Sequence, residues 1–365
     1  MVKYVSGIPG RFLFTQKKEV FNKKHNGGNR MKKFKSLFSS IIVFTMLAVF
    51  LVACSADKDN GSETQAPTTA ETQAPTEETS STDDTDSAGE SATIIDPAGN
   101  EINIPDKTDR IISLAPSITE VLVELGFGDN IILVDANSKD LAGLPEGIEY
   151  VDMMTPDVEK MIALEPDIVL ASTITVNGGT DPADQLAAAD ITLAYIPSSD
   201  SIEGIYSDIM FIAQVLKVED KGQDLVDNTK TEISKIAEIG ETIEEKKSVY
   251  FEIGAAPSIY SFGQGVFLNE MIEIIGANNV LVEEDGWVSV SEEAAVAADP
   301  DVILTNVNYI EDPEEEIKSR AGWENMKAIK NDDIYYIDNM SSSLPNHNII
   351  KALKEMAQAV YPDKY

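Results

Sequence analysis

Two pairs of short segments recur in the same order in the two halves of the chain, and no other feature restricts the fold more. In the first half Pro156-Asp157-Val158-Glu159 leads, through a helical pattern, to Glu165-Pro166-Asp167-Ile168-Val169-Leu170. In the second half Val290-Ser291-Glu292-Glu293 leads in the same way to Asp299-Pro300-Asp301-Val302-Ile303-Leu304. Each copy has a glutamate, Glu159 or Glu293, seven residues before its proline. Upstream, the stretch from Thr119-Glu120 to Gly126 matches that from Asn269-Glu270 to Gly276, and each is followed by an asparagine and a β-rich run. One short match could arise by chance. Two collinear pairs imply two lobes on one plan.

Local chemistry supports this. Thr93–Ile95 and Ile102–Ile104 flank Asp96-Pro97-Ala98-Gly99, the pattern of a β-hairpin. After it, β-rich runs at 110–114, 130–134, 167–171 and 191–196, then at 248–253, 301–305 and 333–337, alternate with helical patterns. That alternation predicts α/β units with mainly parallel sheets. Ser117 to Glu120 reads as a capping box opening a helix straight after the first strand, and Thr155-Pro156 as a cap followed by proline in the first turn. Pro166 and Pro300 end their helices and lead into buried strands.

Between the repeats, Leu225, Thr229, Ile233, Ile236 and Ile243 keep helical spacing, with charges on the opposite face. A single helix from about 220 to 245 would run roughly 37 Å and act as a rigid strut between an N-terminal lobe at 93–219 and a C-terminal lobe at 246–365.

The first ninety residues read as address and tether. A basic run from Met31 precedes the apolar stretch 41–53, too short for a confident membrane span and suited to a signal peptide. It ends Leu51-Val52-Ala53-Cys54, a lipobox pattern that marks Cys54 for lipidation; two acyl chains hold a protein stably at a membrane surface. Residues 1–53 are thus expected to be leader and lipoprotein signal peptide, with Met31 the expected start of translation and codons 27 and 28 a candidate ribosome-binding sequence. Residues 54–92 follow as the lipidated cysteine and a disordered tether rich in Thr, Glu and Pro, in which Glu63–Thr68 recurs as Glu71–Thr76. As a flexible chain the tether would span roughly 35 Å.

Charge excludes whole classes of function. The formal net charge is −35, and the 312 residues after the leader carry 18 basic and 62 acidic groups. Such a surface repels phosphate backbones, so no nucleic-acid partner is expected. Cys54 is the only cysteine, which rules out a disulfide framework, an iron–sulfur cluster and a cysteine zinc site. With two histidines, His25 and His347, no metal site held by protein side chains and no intrinsic cofactor are expected.

From residue 93 onward the chain resembles the helical-backbone (class III) substrate-binding proteins of ABC importers for ferric siderophores, haem and cobalamin. The ordered set carrying the resemblance is Arg110 to Leu122, Asp157 to Val169, Trp287 to Glu293, Asp299 to Ile303 and Gly322-Trp323. It implies two Rossmann-like α/β lobes joined by one long rigid helix, with the ligand cleft between them and a cobalt or iron chelate as ligand. It further implies that Glu159 and Glu293 dock to the permease dimer, which works with a cytoplasmic ATPase. The implied location is the extracytoplasmic face of the cell membrane, lipid-anchored on a Gram-positive surface, as a monomer.

By position the cleft draws on Ser117, Met153, Tyr260, Phe262, Trp287 and Asn306. Trp287 is the strongest candidate, since a flat apolar ring can cover a corrin, haem or catechol face. Tyr260 and Phe262 are expected on a loop, Met153 could line the cleft or pack the core, and His347 is expected at the surface, with axial ligation of iron open to it. Many members carry an Arg-Pro-Gly-Pro-Arg-like run before the last helix, where this chain has Ser343-Leu344-Pro345-Asn346-His347-Asn348. The missing arginines favour a neutral or amphipathic complex such as a corrinoid over an anionic siderophore.

Two other functional classes fit the sequence less well. A cell-surface hydrolase finds no Gly-x-Ser-x-Gly elbow, Walker loop, zinc motif or dinucleotide fingerprint, and Glu159 and Glu293 on separate lobes make a poor glycosidase pair. A surface interaction module fits the tether and the acidity but gives no reason for the duplication.

Overall fold

The repeats predict two sheets of similar order, and that is what forms. A computed structural model describes residues 92–177 and 181–365; the expected signal peptide, lipobox Cys54 and most of the tether lie outside these. The N-terminal lobe opens with an antiparallel hairpin, β1 (Thr93–Ile95) and β2 (Glu101–Asn103). It continues through β3 (Ile111–Leu114), α1 (Pro116–Glu124), β4 (Ile131–Asp135), β5 (Glu149–Val151), α2 (Val158–Ala163) and β6 (Ile168–Ser172). Next come α3 (Thr173–Asn177), α4 (Ala183–Ala188), β7 (Thr192–Ile196) and α5 (Ile202–Val215), and then the joining helix α6 (Glu219–Gly240). The C-terminal lobe holds β8 (Ser248–Glu252), β9 (Tyr260–Phe262), α7 (Phe267–Ile274), β10 (Asn278–Asn279), β11 (Trp287–Ser289) and α8 (Glu292–Ala298). It closes with β12 (Val302–Thr305), α9 (Pro313–Lys318), α10 (Lys327–Asn331), β13 (Ile334–Tyr336), α11 (Asn339–Ser343) and α12 (Ile349–Val360).

The main sheets are parallel throughout, in the orders β5-β4-β3-β6-β7 and β10-β8-β12-β13. Superposing β3 on β8 and β6 on β12 brings the last four strands of the first order onto the second, so the duplication extends to topology. Alternation along the strands divides each lobe's core in two. Ile111, Ile168, Leu170, Val249, Phe251, Val302 and Leu304 face one apolar cluster that runs unbroken under both lobes. Ile112, Val169 and Ala171 face a separate cluster on the far side of the N-terminal sheet, and Tyr250 and Ile303 its counterpart in the C-terminal lobe. Both faces of both sheets are covered, as parallel sheets require.

The joining helix is shorter than expected, ending at Gly240, and spans roughly 33 Å. Its buried stripe is Gly222, Val226, Thr229, Ile233, Ile236 and Gly240, so the two glycines complete the register that Thr229 and the isoleucines indicate. They mark the two docking points. A Cβ on Gly222 would lie 2.4 Å from the Cβ of Ala213 in α5, and one on Gly240 would lie 2.1 Å from the carbonyl oxygen of Ile274 in α7. The strut thus touches one lobe at each end with backbone-close contact.

Two caps differ from expectation. Helix α1 begins at Pro116 with Ala115 before it and no side-chain cap, because proline already fixes the first-turn φ; Ser117 lies inside the first turn. Helix α2 is capped by Asp157, which accepts a hydrogen bond from the Lys160 backbone N–H at 3.0 Å, and not by Thr155. The prolines do stop their helices. The acid before each, Glu165 (φ 46°) and Asp299 (φ 43°), turns the chain through the left-handed region.

Candidate functional site

Parallel strands place all their carboxyl ends at one edge, and ligands of open α/β sheets sit beyond that edge. Here the two edges face each other. Glu120, in the helix that follows β3, accepts a hydrogen bond at 2.5 Å from Asn346 Nδ2, in the segment that follows β13. Glu270, in the helix that follows β9, accepts one at 2.9 Å from the backbone N–H of Ile202, just beyond β7. These are the matched glutamates of the upstream repeat, and each reaches into the other lobe. The sequence singled them out only as part of the duplication; their shared position was the available signal.

Glu159 and Glu293 also occupy one position twice. Each is the second residue of its helix, after the caps Asp157 and Ser291, and the Ser291 side chain accepts from the Ala294 N–H at 3.1 Å. Both side chains are exposed, and neither forms an ion pair among the described residues. Each helix leads into a central strand, β6 or β12, so the two glutamates hold equivalent places in the two lobes.

The candidate cleft residues separate into exposed and buried sets. Strands β9 and β11 pair antiparallel with Trp287 opposite Phe262 and Ser289 opposite Tyr260, which puts Tyr260, Phe262 and Trp287 on one face of the ribbon. Trp287 is 49% exposed and Tyr260 41%. Phe262 is fully buried between Phe251 and Trp287, with ring centroids 5.6 and 5.9 Å away, so it packs edge-on beside the tryptophan and is itself covered. The loop expected at 258–262 is therefore partly strand. Met153 packs into the shared core. Asn306 is buried, its Nδ2 donating to Ser342 and Ser343 at 3.0 and 3.1 Å, and serves as a tie between β12 and α11. Ser117 is half-buried.

His347 is not at the surface as expected. It lies with its side chain 11% exposed, Nε2 3.9 Å from Glu124 of α1 and Nδ1 without a hydrogen-bond partner. Burial pulls its pKa below the usual histidine value, against the opposing pull of Glu124 and Glu120. It joins the lobes on the same side as the Asn346–Glu120 bond.

Beyond residue 91 arginine occurs only at 110 and 320. Both are engaged. Arg110 donates to the carbonyl oxygens of Leu164 and Glu165 at the amino end of the first sheet. Buried Arg320 forms a two-pronged pair with Glu252 at 2.7 Å, also holds Glu316, and lies over the Trp323 ring at 4.6 Å. Burial pushes the Glu252 carboxyl up despite this partner. Among the described residues no guanidinium is left free to clamp an anion.

Comparison with known proteins gives the same two-lobed α/β fold. The sequence profile of the periplasmic binding protein family matches residues 111–340. An uncharacterized ABC transporter substrate-binding lipoprotein of Bacillus subtilis, YvrC, is 32% identical over 275 residues, covering 75% of this chain and 86% of that one. A vitamin B12-binding protein of Yersinia pestis is 28% identical over 202 residues, covering 54% and 69%. A possible iron-binding, periplasmic solute-binding protein of Staphylococcus epidermidis shares the fold at a TM-score of 0.63 and 31% identity, covering 70% of this chain and all of its own. With these matches and its two-lobed α/β fold, the chain belongs to the periplasmic binding protein family, whose members bind solutes for ABC transporters and are not enzymes.

Proposed function

We propose that the chain is an extracytoplasmic, lipid-anchored receptor that captures a cobalt or iron chelate in the interlobe cleft and delivers it to the permease of an ABC importer. The matched placement of Glu159 and Glu293 carries this reading. Two exposed carboxylates, at the same helical position in each lobe, give a dimeric permease one grip per lobe in a fixed orientation. Charges of this kind set register and encounter rate more than affinity.

The ligand favoured is a corrinoid. Trp287 and Tyr260 offer flat apolar surface, and both arginines of the body are held by internal partners. A triply anionic ferric catecholate is best held by guanidinium clamps, which neither of these two arginines is free to supply. The test is titration of the protein with cyanocobalamin, haemin, a ferric tris-catecholate and a ferric hydroxamate, read by tryptophan fluorescence. Saturable quenching by cyanocobalamin, lost in Trp287→Phe, is expected. Absence of quenching by every chelate overturns the reading.

A further inference from the structure

We infer that Tyr309 is a ligand-contacting residue, which with Tyr260 and Trp287 gives the C-terminal lobe an aromatic wall for the flat face of a weakly charged chelate. The inference rests on the receptor reading above and extends it to a residue and a contact mode.

Tyr309 is 66% exposed, more than any other large hydrophobic side chain among the described residues. It lies just past the carboxyl end of β12, on the cleft-facing edge of its sheet. An aromatic ring so exposed is ordinarily a free rotor, yet this one is fixed at its far end: its hydroxyl accepts a hydrogen bond at 2.8 Å from the backbone N–H of Ala255, in the turn joining β8 to β9. The residue before, Gly254, bridges to Tyr260, and a Cβ built there would lie 3.3 Å from the Tyr260 Cβ and 3.5 Å from its ring. Tyr260 therefore covers Gly254 while Tyr309 reaches Ala255, so the two rings flank one dipeptide. Tyr260 in turn shares a ribbon face with Trp287, against which Phe262 packs edge-on.

The three rings are exposed on neighbouring segments of one lobe, and two of them are held, Tyr309 through its hydroxyl and Trp287 against Phe262. Aromatic surface grouped in this way on a soluble protein marks a binding surface, and rings held before binding lose little side-chain freedom on contact. Their faces can stack on a macrocycle or cover its alkyl edge, neither of which needs a cation.

Equilibrium dialysis of cyanocobalamin and of haemin against the intact protein and its variants, followed by ligand absorbance, tests this. Tyr309→Ala is expected to weaken Kd for the tighter-bound chelate about tenfold. Tyr309→Leu, which keeps bulk but not the flat ring, should also weaken binding, while Tyr309→Phe stays within about threefold. An unchanged melting temperature in these variants separates a lost contact from a lost fold. If Tyr309→Ala and Tyr309→Leu bind as the parent does while Trp287→Ala loses affinity, the receptor reading stands and the wall ends at Trp287. If the parent protein binds neither chelate, the inference falls with the corrinoid and haem reading on which it rests.

Discussion

Asp167 and Asp301 hold the same post in the two lobes. The carboxylate of Asp167 accepts hydrogen bonds from the backbone N–H groups of Asp109 and Arg110, both at 2.9 Å, at the entry to β3. That of Asp301 accepts from the backbone N–H and hydroxyl of Ser248, at 2.9 and 2.7 Å, at the entry to β8. Each aspartate also donates its own N–H to the strand it caps, Asp167 to Arg110 and Asp301 to Ser248. The residue that follows each proline thus fastens two neighbouring central strands of its sheet, β6 to β3 and β12 to β8. Replacing Asp301 with Ala leaves the Ser248 N–H without its acceptor and should lower unfolding free energy by about 1–2 kcal/mol, measured by urea denaturation. Asp167→Ala should act in the same direction on its own lobe.

Changing Glu159 and Glu293 together to Lys should abolish uptake through the importer and leave ligand affinity unchanged. Uptake by cells, set beside dialysis on the purified protein, checks both halves of that statement. Loss of affinity itself would mean that the two glutamates belong to the cleft and not to a docking surface.

Helix propensity alone says that Gly240→Ala should stabilise α6 by about 1 kcal/mol. The packing says the reverse. The added methyl meets the Ile274 carbonyl oxygen at 2.1 Å, and neighbouring Gly276, at φ 81°, already approaches Gly240 closely. The substitution should cost about 1–3 kcal/mol, read from the urea midpoint at unchanged slope.

A strut fixed by backbone-close contact at both ends permits little hinge motion. The lobes should rotate by only a few degrees between free and ligand-bound protein, in contrast to hinge closure, in which a few loop residues absorb large φ/ψ changes. Small-angle scattering and a ligand-bound crystal structure measure this; a rotation of tens of degrees would contradict it.

Acid should weaken the contact between the lobes through His347. Its folded pKa lies below the ordinary 6.5 because burial disfavours the charged ring. Between the folded value and about 6.5 the unfolded chain binds the proton first, so stability is full above about pH 6.5 and declines as pH falls. The groups facing the ring are Glu120 and Glu124 of α1, and Lys351, one turn along α12, is paired with Asp338. Melting temperatures between pH 7.5 and 5.5 should fall less for His347→Gln than for the parent protein.

The duplicated lobes, the strand positions and the two exposed glutamates were readable because each rests on local pattern: β-branched runs, prolines that stop helices, acids at fixed spacing. The strut was readable from Thr229, Ile233 and Ile236, but its ends were not. Gly222 and Gly240 count against a helix by propensity, and only their contacts with Ala213 and Ile274 show why they are there. The ribbon of β9 and β11 was missed because it pairs residues across a helix, with three positions per strand and little periodicity to detect. His347 and Asn346 could not be placed from the sequence because what surrounds them, Glu120 and Glu124, comes from the other lobe. Phe262 and Asn306 look like candidate ligand contacts until burial shows them occupied with the protein's own side chains.

Each main sheet is assembled from one uninterrupted stretch of polypeptide, and α6 is the sole passage between them. A nascent chain emerging amino end first can complete its first layer of strands while the second is still unmade. The apolar seam under α6, drawn from both halves, can close only afterwards, so the slow stage of maturation should be the joining of two finished pieces.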